Sequence, residues 1–496
     1  MSELERLAAG CLFPGFAGLE PPDWIRRRLA EGLGGVVLYS RNVKSRDQLS
    51  SLNAALRAER HDVLVAIDEE GGDVTRLEAA NGSSYPGNAA LGAVDDVGLT
   101  AQVAAALGAD LRAVGVNLDL APVADVNSNP SNPIIGIRSF GADPELVGRH
   151  VAAFVQGLQD AGVAACAKHF PGHGDTDADS HLELPTVNVD RETLLARELV
   201  PFRAAIAAGV RSLMTAHIRV PALDDAPATT SRAILHDLLR GELGFGGMVM
   251  TDALEMRAIS ATVGVEEGAV RALAAGADAL CFGHDLADES VESVTRALVA
   301  AVGDGKIAED RLAQAFEGVR SVAEWAEESE ASVSVGSAIG RVAAARALAS
   351  EGEVALSRQA LVLELAVQPN IAVGASPGAG EWLRRALPGS RLVRLEPRMT
   401  PDDVARSSSE QLVIVVHDAH RHPWQRDALG ALLAENPDAV VVEVGLPHWR
   451  PNGATAYLAT YGAARVNVEA AAERLSRNAI LEPRRGVEQS GSSPGS

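Results

Sequence analysis

Cysteine is almost absent from this chain of 496 residues, which contains Cys11, Cys166 and Cys281 only. Three thiols so far apart in sequence give neither a disulfide framework nor a zinc pattern, so we expect reduced, buried side chains. Aromatic residues make up 4% of the chain, and much of its apolar content comes from Ala, Gly and Val. Such a composition predicts an ample core built from small side chains.

Positive charge is also scarce, because 66 acidic residues outnumber 44 basic ones and leave a formal net charge of −22. This acidity repels nucleic acid and anionic membranes, which argues against both as partners. No apolar run reaches the roughly 20 residues of a membrane span, and Glu3 and Glu5 stand where a signal peptide carries basic residues. We therefore expect a cytoplasmic protein.

The chain is longer than one average domain, since a domain has about 150 residues and a barrel about 250. Residues 1–330 alternate short apolar runs with Ala-rich amphipathic segments. A Glu-, Ala- and Ser-rich stretch at 331–355 predicts a linker, and a second alternation fills residues 356–480. Residues 481–496, rich in Pro, Gly, Arg and Ser, predict a disordered tail.

Eight short apolar runs predict strands in the first domain. They are Gly10 to Phe13, Gly35 to Tyr39, Val63 to Ile67, Val116 to Leu120, Val163 to Ala167, Ser212 to Ala216, Met248 to Thr251 and Ala277 to Phe282. Segments with helical spacing lie between them, among them Thr100 to Ala113, Asp143 to Asp160, Glu192 to Ala208 and Glu266 to Ala275. Eight such units predict a closed parallel (β/α)8 barrel of the TIM type.

An open, doubly wound sheet is the competing arrangement, and the polar residues at the strand ends discriminate between the two. Asp68, Asp125, Lys168, His217 and Asp252 each follow a different predicted strand. A barrel gathers its active site from the carboxyl ends of several strands, whereas an open sheet binds its ligand in one crevice. The distribution therefore favours the barrel.

The second alternation predicts a smaller α/β domain. Its strands are Ala360 to Leu365, Asn370 to Gly374, Arg391 to Leu395, Gln411 to His417 and Ala439 to Val444, and one of its helices is Pro423 to Ala434. The polar and aromatic cluster of His420, Arg421, His422 and Trp424 is more typical of a domain interface or surface loop than of a second active site.

The segment from Lys168 to His181 carries three histidines, three acids and a lysine directly after a buried strand. Gly172 and Gly174 allow the backbone to bend sharply there. A solvated acidic loop would account for the aspartates and glycines, but it gives no reason to place a Lys-His pair at a strand end. The segment is therefore predicted to carry chemistry.

Asp252 ends an apolar strand, so it is held on a rigid element in a position suited to a nucleophile. Asp179 precedes His181 by two residues, which puts both side chains on one face of an extended backbone. A carboxylate beside an imidazole can fix its tautomer and raise its pKa, making His181 a proton donor near neutral pH. A nucleophile facing a general acid is what retaining glycosyl transfer requires.

A metal site is the alternative for this segment, because Asp175, Asp177 and Asp179 open like a calcium loop. The sixth position of such a loop should be Gly and is Ser180, and the twelfth should be Glu and is Thr186. A zinc site on His169, His173 and His181 would lack the helical spacing and thiolates of common zinc sites. We therefore expect no metal and no other cofactor.

Four stretches resemble glycoside hydrolase family 3, and specifically its β-N-acetylglucosaminidase branch. They are Lys168 to Pro185, Met250 to Met256, Ile67 through Arg76, and Arg138 to Gly141. The resemblance covers nearly the whole predicted barrel, and the second domain resembles the carboxyl-terminal domain that some members carry. It implies a barrel enzyme that removes β-linked N-acetylglucosamine.

The resemblance also implies residue roles. It makes Asp252 the nucleophile and His181, oriented by Asp179, the acid and then the base. It implies that Asp68, Arg138, Lys168 and His169 hold the sugar hydroxyls and N-acetyl group, with Arg76 lining or supporting the pocket. Two positions depart from the family pattern, since Glu69 stands where Gln is frequent and Asp73 where Arg is frequent.

The predicted function is retaining, exo-acting hydrolysis of small β-N-acetylglucosaminides, such as cell-wall muropeptide or chitin fragments. One alternative is a phosphorylase that releases N-acetylglucosamine 1-phosphate, because a histidine base, unlike a carboxylate, would not repel inorganic phosphate. An alternative of another class is a sugar-binding protein without catalysis. That protein would be expected to have lost Asp252, Asp179 or His181, and all are present.

Overall fold

The computed structural model describes residues 1–180, 182–283, 287–329, 336, 338–367, 373, 377–397 and 410–476. Within this part of the chain, each of the eight apolar runs predicted for the first domain overlaps a strand. These eight strands are β1 Leu12–Phe13, β2 Gly35–Leu38, β3 Leu64–Ile67, β4 Leu118–Asp119, β5 Ala164–Phe170, β6 Ser212–Thr215, β9 Met248–Thr251 and β10 Leu280–Cys281. Between β6 and β9 the chain forms an additional antiparallel pair, β7 Arg219–Val220 and β8 Asp224–Pro227.

The strands close into a ring. Parallel pairing joins them in the order β2, β3, β4, β5, β6, β9, and β1 pairs in parallel with β10. The Thr251 N–H donates to the Ala279 carbonyl at 2.9 Å, which joins β9 to the start of β10, and the Val37 N–H donates to the Pro14 carbonyl at 3.1 Å, which joins β2 to β1. The barrel prediction is confirmed against the open sheet.

Small and medium side chains fill the barrel, as the composition predicted. The interior cluster includes Phe13, Val37, Leu64, Ala66, Leu118, Ala164, Cys166, Met214, Met248, Met250, Ala279 and Cys281. A larger cluster lies between the strands and the surrounding helices. All three cysteines are buried and free, as expected. The polar strand ends project beyond this packed interior.

The helices of this domain are α1 Glu3–Ala9, α2 Asp23–Ala30, α3 Arg46–Glu59, α4 Asn88–Val94, α5 Val97–Ala113, α6 Pro144–Asp160, α7 Arg191–Thr193, α8 Val200–Ala207, α9 Arg257–Ser260, α10 Val265–Ala275, α11 Asp288–Gly303 and α12 Glu309–Glu328. The helix predicted from Glu192 to Ala208 is divided by a π-helical turn at Leu194–Glu198. Pro201 follows at the start of α8, and its missing N–H cannot continue the regular ladder.

The second domain is a mixed sheet with helices on both faces. Its strands are β11 Ala349–Gly352, β12 Gln359–Leu365, β13 Arg391–Leu395, β14 Glu410–Val416, β15 Val440–Glu443 and β16 Ala456–Ala459, and its helices are α13 Ala338–Ala347, α14 Ala379–Ala386, α15 Pro423–Glu435 and α16 Arg465–Ser476. The order β13, β12, β14, β15, β16 is parallel and of the flavodoxin-like kind, and β11 adds an antiparallel edge.

Four of the predicted strands of this domain are confirmed as β12, β13, β14 and β15. The run Asn370 to Gly374 lies outside the described residues except for Val373, and so does the predicted tail at 481–496. Strands β11 and β16 were not predicted. The exposed sequence Ala349-Ser350-Glu351-Gly352 carries no apolar pattern, so only its pairing with β16 reveals the strand.

Helix α13 lies within the stretch predicted as linker and packs against both domains. Ala343 belongs to the apolar cluster of the barrel, and Ala344 packs with Val466 and Ala470 of the second domain. A Cβ atom at Gly340 would stand 1.9 Å from the Ser84 carbonyl oxygen, so the helix approaches the barrel as closely as only glycine permits. No helix in the described ranges is long and apolar enough to cross a membrane.

Hydrogen bonds join the two domains at three further places. His420 Nε2 donates to the Pro130 carbonyl at 2.8 Å, and the Ala463 N–H donates to the Asp73 carboxylate at 2.8 Å. Arg465 donates to Ser84 Oγ at 2.7 Å. The cluster that contains His420 therefore lies at the domain interface, one of the two locations that the sequence favoured.

Candidate active site

A cavity of about 240 Å³ opens at the carboxyl ends of the barrel strands. The predicted residues Asp68, Arg76, Arg138, Lys168, His169 and Asp252 all line it, together with Tyr39, Glu70, Ile134, Ile135, His173, Ser180 and Glu255. Asp179 directly precedes the lining residue Ser180, and His181 lies outside the described residues. Most of the residues selected from sequence therefore surround one cavity.

Asp252 directly follows strand β9, so the barrel itself fixes its position. One of its carboxylate oxygens accepts a hydrogen bond of 2.7 Å from the Ala253 N–H. The Ala253 carbonyl in turn accepts one of 3.0 Å from Nε2 of His217, which stands just beyond strand β6. A half-buried carboxylate held in this way is suited to act as a nucleophile.

A buried network of two acids and two bases forms one wall of the cavity. Lys168 Nζ lies 2.7 Å from Asp68 Oδ1 and 2.8 Å from Glu70 Oε1. Arg138 binds the Glu70 carboxylate through two parallel hydrogen bonds of 2.7 and 2.9 Å. Arg76 Nη2 stands 3.7 Å from Asp68 Oδ2. The wall thus presents fixed donors and acceptors, which is what recognition of sugar hydroxyls requires.

The members of this network keep one another ionised. Burial disfavours the charge of Glu70, but the Arg138 and Lys168 cations hold its pKa below the ordinary value. Burial likewise opposes the charge of Lys168, but Asp68 and Glu70 raise its pKa above the ordinary value. The opposite charges within hydrogen-bond distance outweigh desolvation, so the array stays charged at neutral pH.

Asp125 organises the residues that follow strand β5. Its Oδ2 lies 2.7 Å from Nδ1 of His169, and its Oδ1 accepts the N–H of His173 at 2.6 Å. Burial opposes ionisation of Asp125, yet His169 lowers its pKa below the ordinary value. Because Nδ1 of His169 serves Asp125, Nε2 is the nitrogen that remains for a ligand in the cavity.

His173 connects the two ends of the loop at residues 171–180, which we call the acid/base loop. Its Nδ1 lies 2.7 Å from Thr176 Oγ1, and its Nε2 lies 3.1 Å from Ser180 Oγ. Burial lowers the pKa of His173 to about 4, so the ring is neutral at neutral pH. The Thr176 hydroxyl donates to the His173 carbonyl, so Nδ1 carries the ring proton and Nε2 accepts from Ser180.

The two glycines of this loop have different roles. Gly172 has a φ of +124°, a conformation that other residues rarely adopt. At Gly174 a Cβ atom would stand 1.7 Å from the Val126 carbonyl oxygen, so this glycine permits close packing of two loops rather than bending. Beyond them, the Asp179 carbonyl accepts from the N–H groups of Leu182 and Glu183 at 3.0 and 3.1 Å.

Sequence reasoning assigned no role to Glu70, Asp125, His173 or Ser180. Two weak signals were present. Glu70 lies two residues after Asp68, on the same side of an extended segment, and Asp125 ends the run after strand β4. Neither signal identifies a partner, because Arg138 comes from the short 3-10 turn Gly136–Arg138 and His169 from strand β5, both distant in sequence. In the described ranges, no group of three or more His, Cys, Asp or Glu side chains is arranged to hold a metal ion.

An eight-stranded barrel with a carboxylate and a charged cavity at its mouth is an arrangement typical of glycoside-cleaving enzymes. Residues 23–322 match the glycosyl hydrolase family 3 N-terminal domain. The chain belongs to glycoside hydrolase family 3, and the resemblance found in the sequence is confirmed.

Relatives agree with this assignment. The beta-hexosaminidase of Thiobacillus denitrificans is 41% identical over 296 residues, which cover 57% of this chain and 81% of the relative. Beta-hexosaminidase A of Pseudoalteromonas piscicida is 38% identical over 281 residues, 52% of this chain, and the match spans only 47% of that longer protein. The structure of a family 3 β-N-acetylglucosaminidase from Paenibacillus sp. str. FPU-7 superposes with a TM-score of 0.85 at 35% identity, covering 96% of this chain and 97% of that one.

Proposed function

We propose that this enzyme is a retaining, exo-acting β-N-acetylglucosaminidase. The observation that carries the proposal is the position of Asp252, fixed at the end of β9 in a cavity that is also lined by the charged network of Asp68, Glu70, Arg138 and Lys168. A volume of about 240 Å³ lies below the ~300 Å³ at which typical ligand sites begin, so it suits a single terminal sugar. An exo-acting enzyme requires a cavity of this kind, because it binds only the terminal sugar of its substrate.

In the proposed first step, Asp252 attacks the anomeric carbon while His181, oriented by Asp179, protonates the leaving oxygen. The leaving group departs and a glycosyl-enzyme ester forms on Asp252. In the second step His181 removes a proton from water, which attacks the same carbon and releases the sugar and the carboxylate. Asp68, Arg138, Lys168 and His169 hold the sugar in both steps, and Arg76 supports the pocket beside Asp68.

Substrate preference and trapping of the intermediate test this proposal. The enzyme should hydrolyse a chromogenic β-N-acetylglucosaminide far faster than the matching β-glucoside. With His181→Ala and an activated aryl substrate, the intact protein should gain the mass of one N-acetylhexosamine residue, and Asp252→Asn should gain none. Equal rates on both glycosides would overturn the sugar assignment.

Phosphate in place of water is the second candidate acceptor, and its support is the histidine at position 181. Asp175, which would oppose an anion, is paired with Arg197 at 2.7 Å. The cations that could bind phosphate are committed elsewhere, since Lys168 and Arg138 both bind Glu70. We therefore retain hydrolysis as the proposed reaction. NMR of the products with and without inorganic phosphate distinguishes the two acceptors, because only phosphorolysis yields N-acetylglucosamine 1-phosphate.

We further propose cell-wall muropeptide or chitin fragments as natural substrates and the cytoplasm as the location. The family and the small, charged cavity support a small carbohydrate substrate, and both fragment classes carry β-linked N-acetylglucosamine. Mass spectrometry of the products from each fragment class would distinguish the two sources. Release of N-acetylglucosamine from neither would exclude both.

A further inference from the structure

One loop of the second domain reaches toward the wall of the active site. We call residues 417–422 the histidine loop and residues 127–135 of the barrel the wall loop. His420 Nε2 lies 2.8 Å from the Pro130 carbonyl oxygen. Because a carbonyl only accepts, Nε2 carries the proton, and Nδ1 is buried with no hydrogen-bond partner among the described residues. The contact therefore selects one tautomer and one orientation of the imidazole.

The histidine loop is held in place before it meets the barrel. The Glu443 carboxylate accepts the N–H groups of Asp418 at 2.8 Å and Ala419 at 3.2 Å. Arg426 donates to the carbonyls of Ala419 and His420 from the other side. A loop fixed by a buried carboxylate and an arginine presents His420 at low entropic cost, so its contact with Pro130 is preorganised.

Two asparagines that flank Pro130 connect the wall loop to the lining of the cavity and to the acid/base loop. Asn132 Oδ1 accepts the N–H groups of Ile134 and Ile135 at 2.9 and 2.8 Å, and both isoleucines line the cavity. The Asn132 Nδ2 group donates to the carbonyls of His173 at 2.9 Å and Gly174 at 3.1 Å. Asn129 Nδ2 donates to the Thr176 carbonyl at 3.2 Å. The wall loop and the acid/base loop are thus held together by side-chain amides.

The series of hydrogen bonds that begins at His420 ends in the acid/base loop, where His173 accepts a hydrogen bond from Ser180. In the sequence, Ser180 stands between Asp179 and His181. We propose that His420 is a positioning residue: through Pro130, Asn129 and Asn132 it holds the acid/base loop in catalytic geometry. This inference rests on the proposed role of that loop. In the part of the chain that the structure describes, the second domain supplies none of the residues that line the cavity, so its contribution to the site is order.

Losing His420 should impair proton donation more than sugar binding, because the Asp68, Glu70 and Lys168 network is anchored separately. His420→Ala should lower kcat by about tenfold, the order of one hydrogen bond, on an N-acetylglucosamine disaccharide, which needs a proton. On a dinitrophenyl glycoside, whose leaving group needs none, kcat should change little. KM should stay nearly constant for both substrates.

Two matched variants separate positioning from general damage. His420→Gln keeps a side-chain N–H of similar reach for the Pro130 carbonyl and should recover most of the activity. His422→Ala removes a neighbouring histidine that makes no capping hydrogen bond to helix α15, and it should match the parent enzyme. In the double variant with Asn132→Ala, the loss should be little more than that of Asn132→Ala alone, because both act through one series of contacts.

Equal losses on the two substrates, or no recovery with His420→Gln, would overturn the inference even if His420→Ala were less stable. Asp252→Asn, measured on the same substrates, separates this failure from failure of the proposed function. An inactive Asp252→Asn beside an unaffected His420→Ala rejects only the role of His420. An active Asp252→Asn rejects the proposed mechanism, and the inference falls with it.

Discussion

The carboxylate of Asp73 in the barrel accepts a hydrogen bond of 2.8 Å from the Ala463 N–H, directly before helix α16 of the second domain. Asp73 is one of the two positions that depart from the family pattern. It lies three residues after Glu70 and meets the positive end of a helix, where an acid is favourable and an arginine would not be. The aspartate at position 73, where the family frequently has arginine, is therefore part of the interface between the two domains.

Asp73→Ala should lower the free energy of unfolding by about 1 kcal/mol, the typical effect of losing a helix-capping side chain. Asp73→Asn should cost less, because its amide oxygen can still accept the Ala463 N–H. Urea denaturation followed by circular dichroism measures both. A stability equal to that of the parent in Asp73→Ala would show that the contact contributes nothing.

Asp252→Asn should abolish turnover, because an amide is nearly isosteric with a carboxylate but a far weaker nucleophile. The expected loss in kcat is several orders of magnitude, with a melting temperature close to that of the parent. A variant that kept more than about a tenth of the parent kcat, a loss below about 1.4 kcal/mol in barrier, would exclude Asp252 as the nucleophile.

His181→Ala should slow substrates with poor leaving groups far more than activated aryl glycosides, since only the former need a proton. Asp179→Ala should show a milder form of the same pattern, because Asp179 acts through the imidazole. Steady-state kinetics on the two substrate types provide the comparison. If both types lost the same factor, His181 would not be the general acid.

Glu70→Gln should weaken sugar binding, because the amide cannot neutralise Arg138 and Lys168 together. Breaking a buried ion pair by removing one partner typically costs about 3–5 kcal/mol, part of which should be seen in stability and part in kcat/KM. Glu289→Gln, an exposed acid in helix α11, serves as the control. Parent-like kcat/KM and stability in Glu70→Gln would show that the network has no such role.

Glu198 makes stability depend on pH. Burial raises the pKa of Glu198 from 4.5 to about 7, and its Oε2 finds no hydrogen-bond partner in the described part of the chain. Between these values the folded state keeps a proton that the unfolded state has lost, so stability falls as pH rises through this window, by up to about 1.4 kcal/mol per pH unit. Glu198→Gln should flatten this part of the curve of unfolding free energy against pH. An unchanged slope would assign the titration to other groups.

The sequence predicted the barrel correctly because each strand is a continuous apolar run and each active-site strand ends on a polar residue. The same logic located Asp68, Lys168, His169 and Asp252 at the cavity. It did not find Glu70, and it listed Asp125 at a strand end without giving it a role, because their partners lie elsewhere in the chain and pairing distances are not encoded in spacing. The close contact of Gly174 with Val126 could not be predicted either, because the sequence suggested only a sharp bend at this glycine.

The predicted role of His181 stays a prediction, because that residue lies outside the described residues. Asp179, by contrast, is described and directly precedes the cavity residue Ser180. The predicted enzyme class is confirmed by family membership. The location and the domain boundaries remain hypotheses that rest on composition and spacing, and the phosphate acceptor remains one that rests on the chemistry of a histidine base.

Helix α13 has a consequence for how the molecule unfolds. It was predicted to be part of a linker, yet Ala343 is buried with the barrel core and Ala344 with Val466 and Ala470. Releasing either domain would expose apolar surface of this helix and break the close approach of Gly340 to Ser84. We therefore expect the unfolding free energies of the two domains to be coupled through this helix, so that the order at the active-site wall is lost only when the fold as a whole is lost.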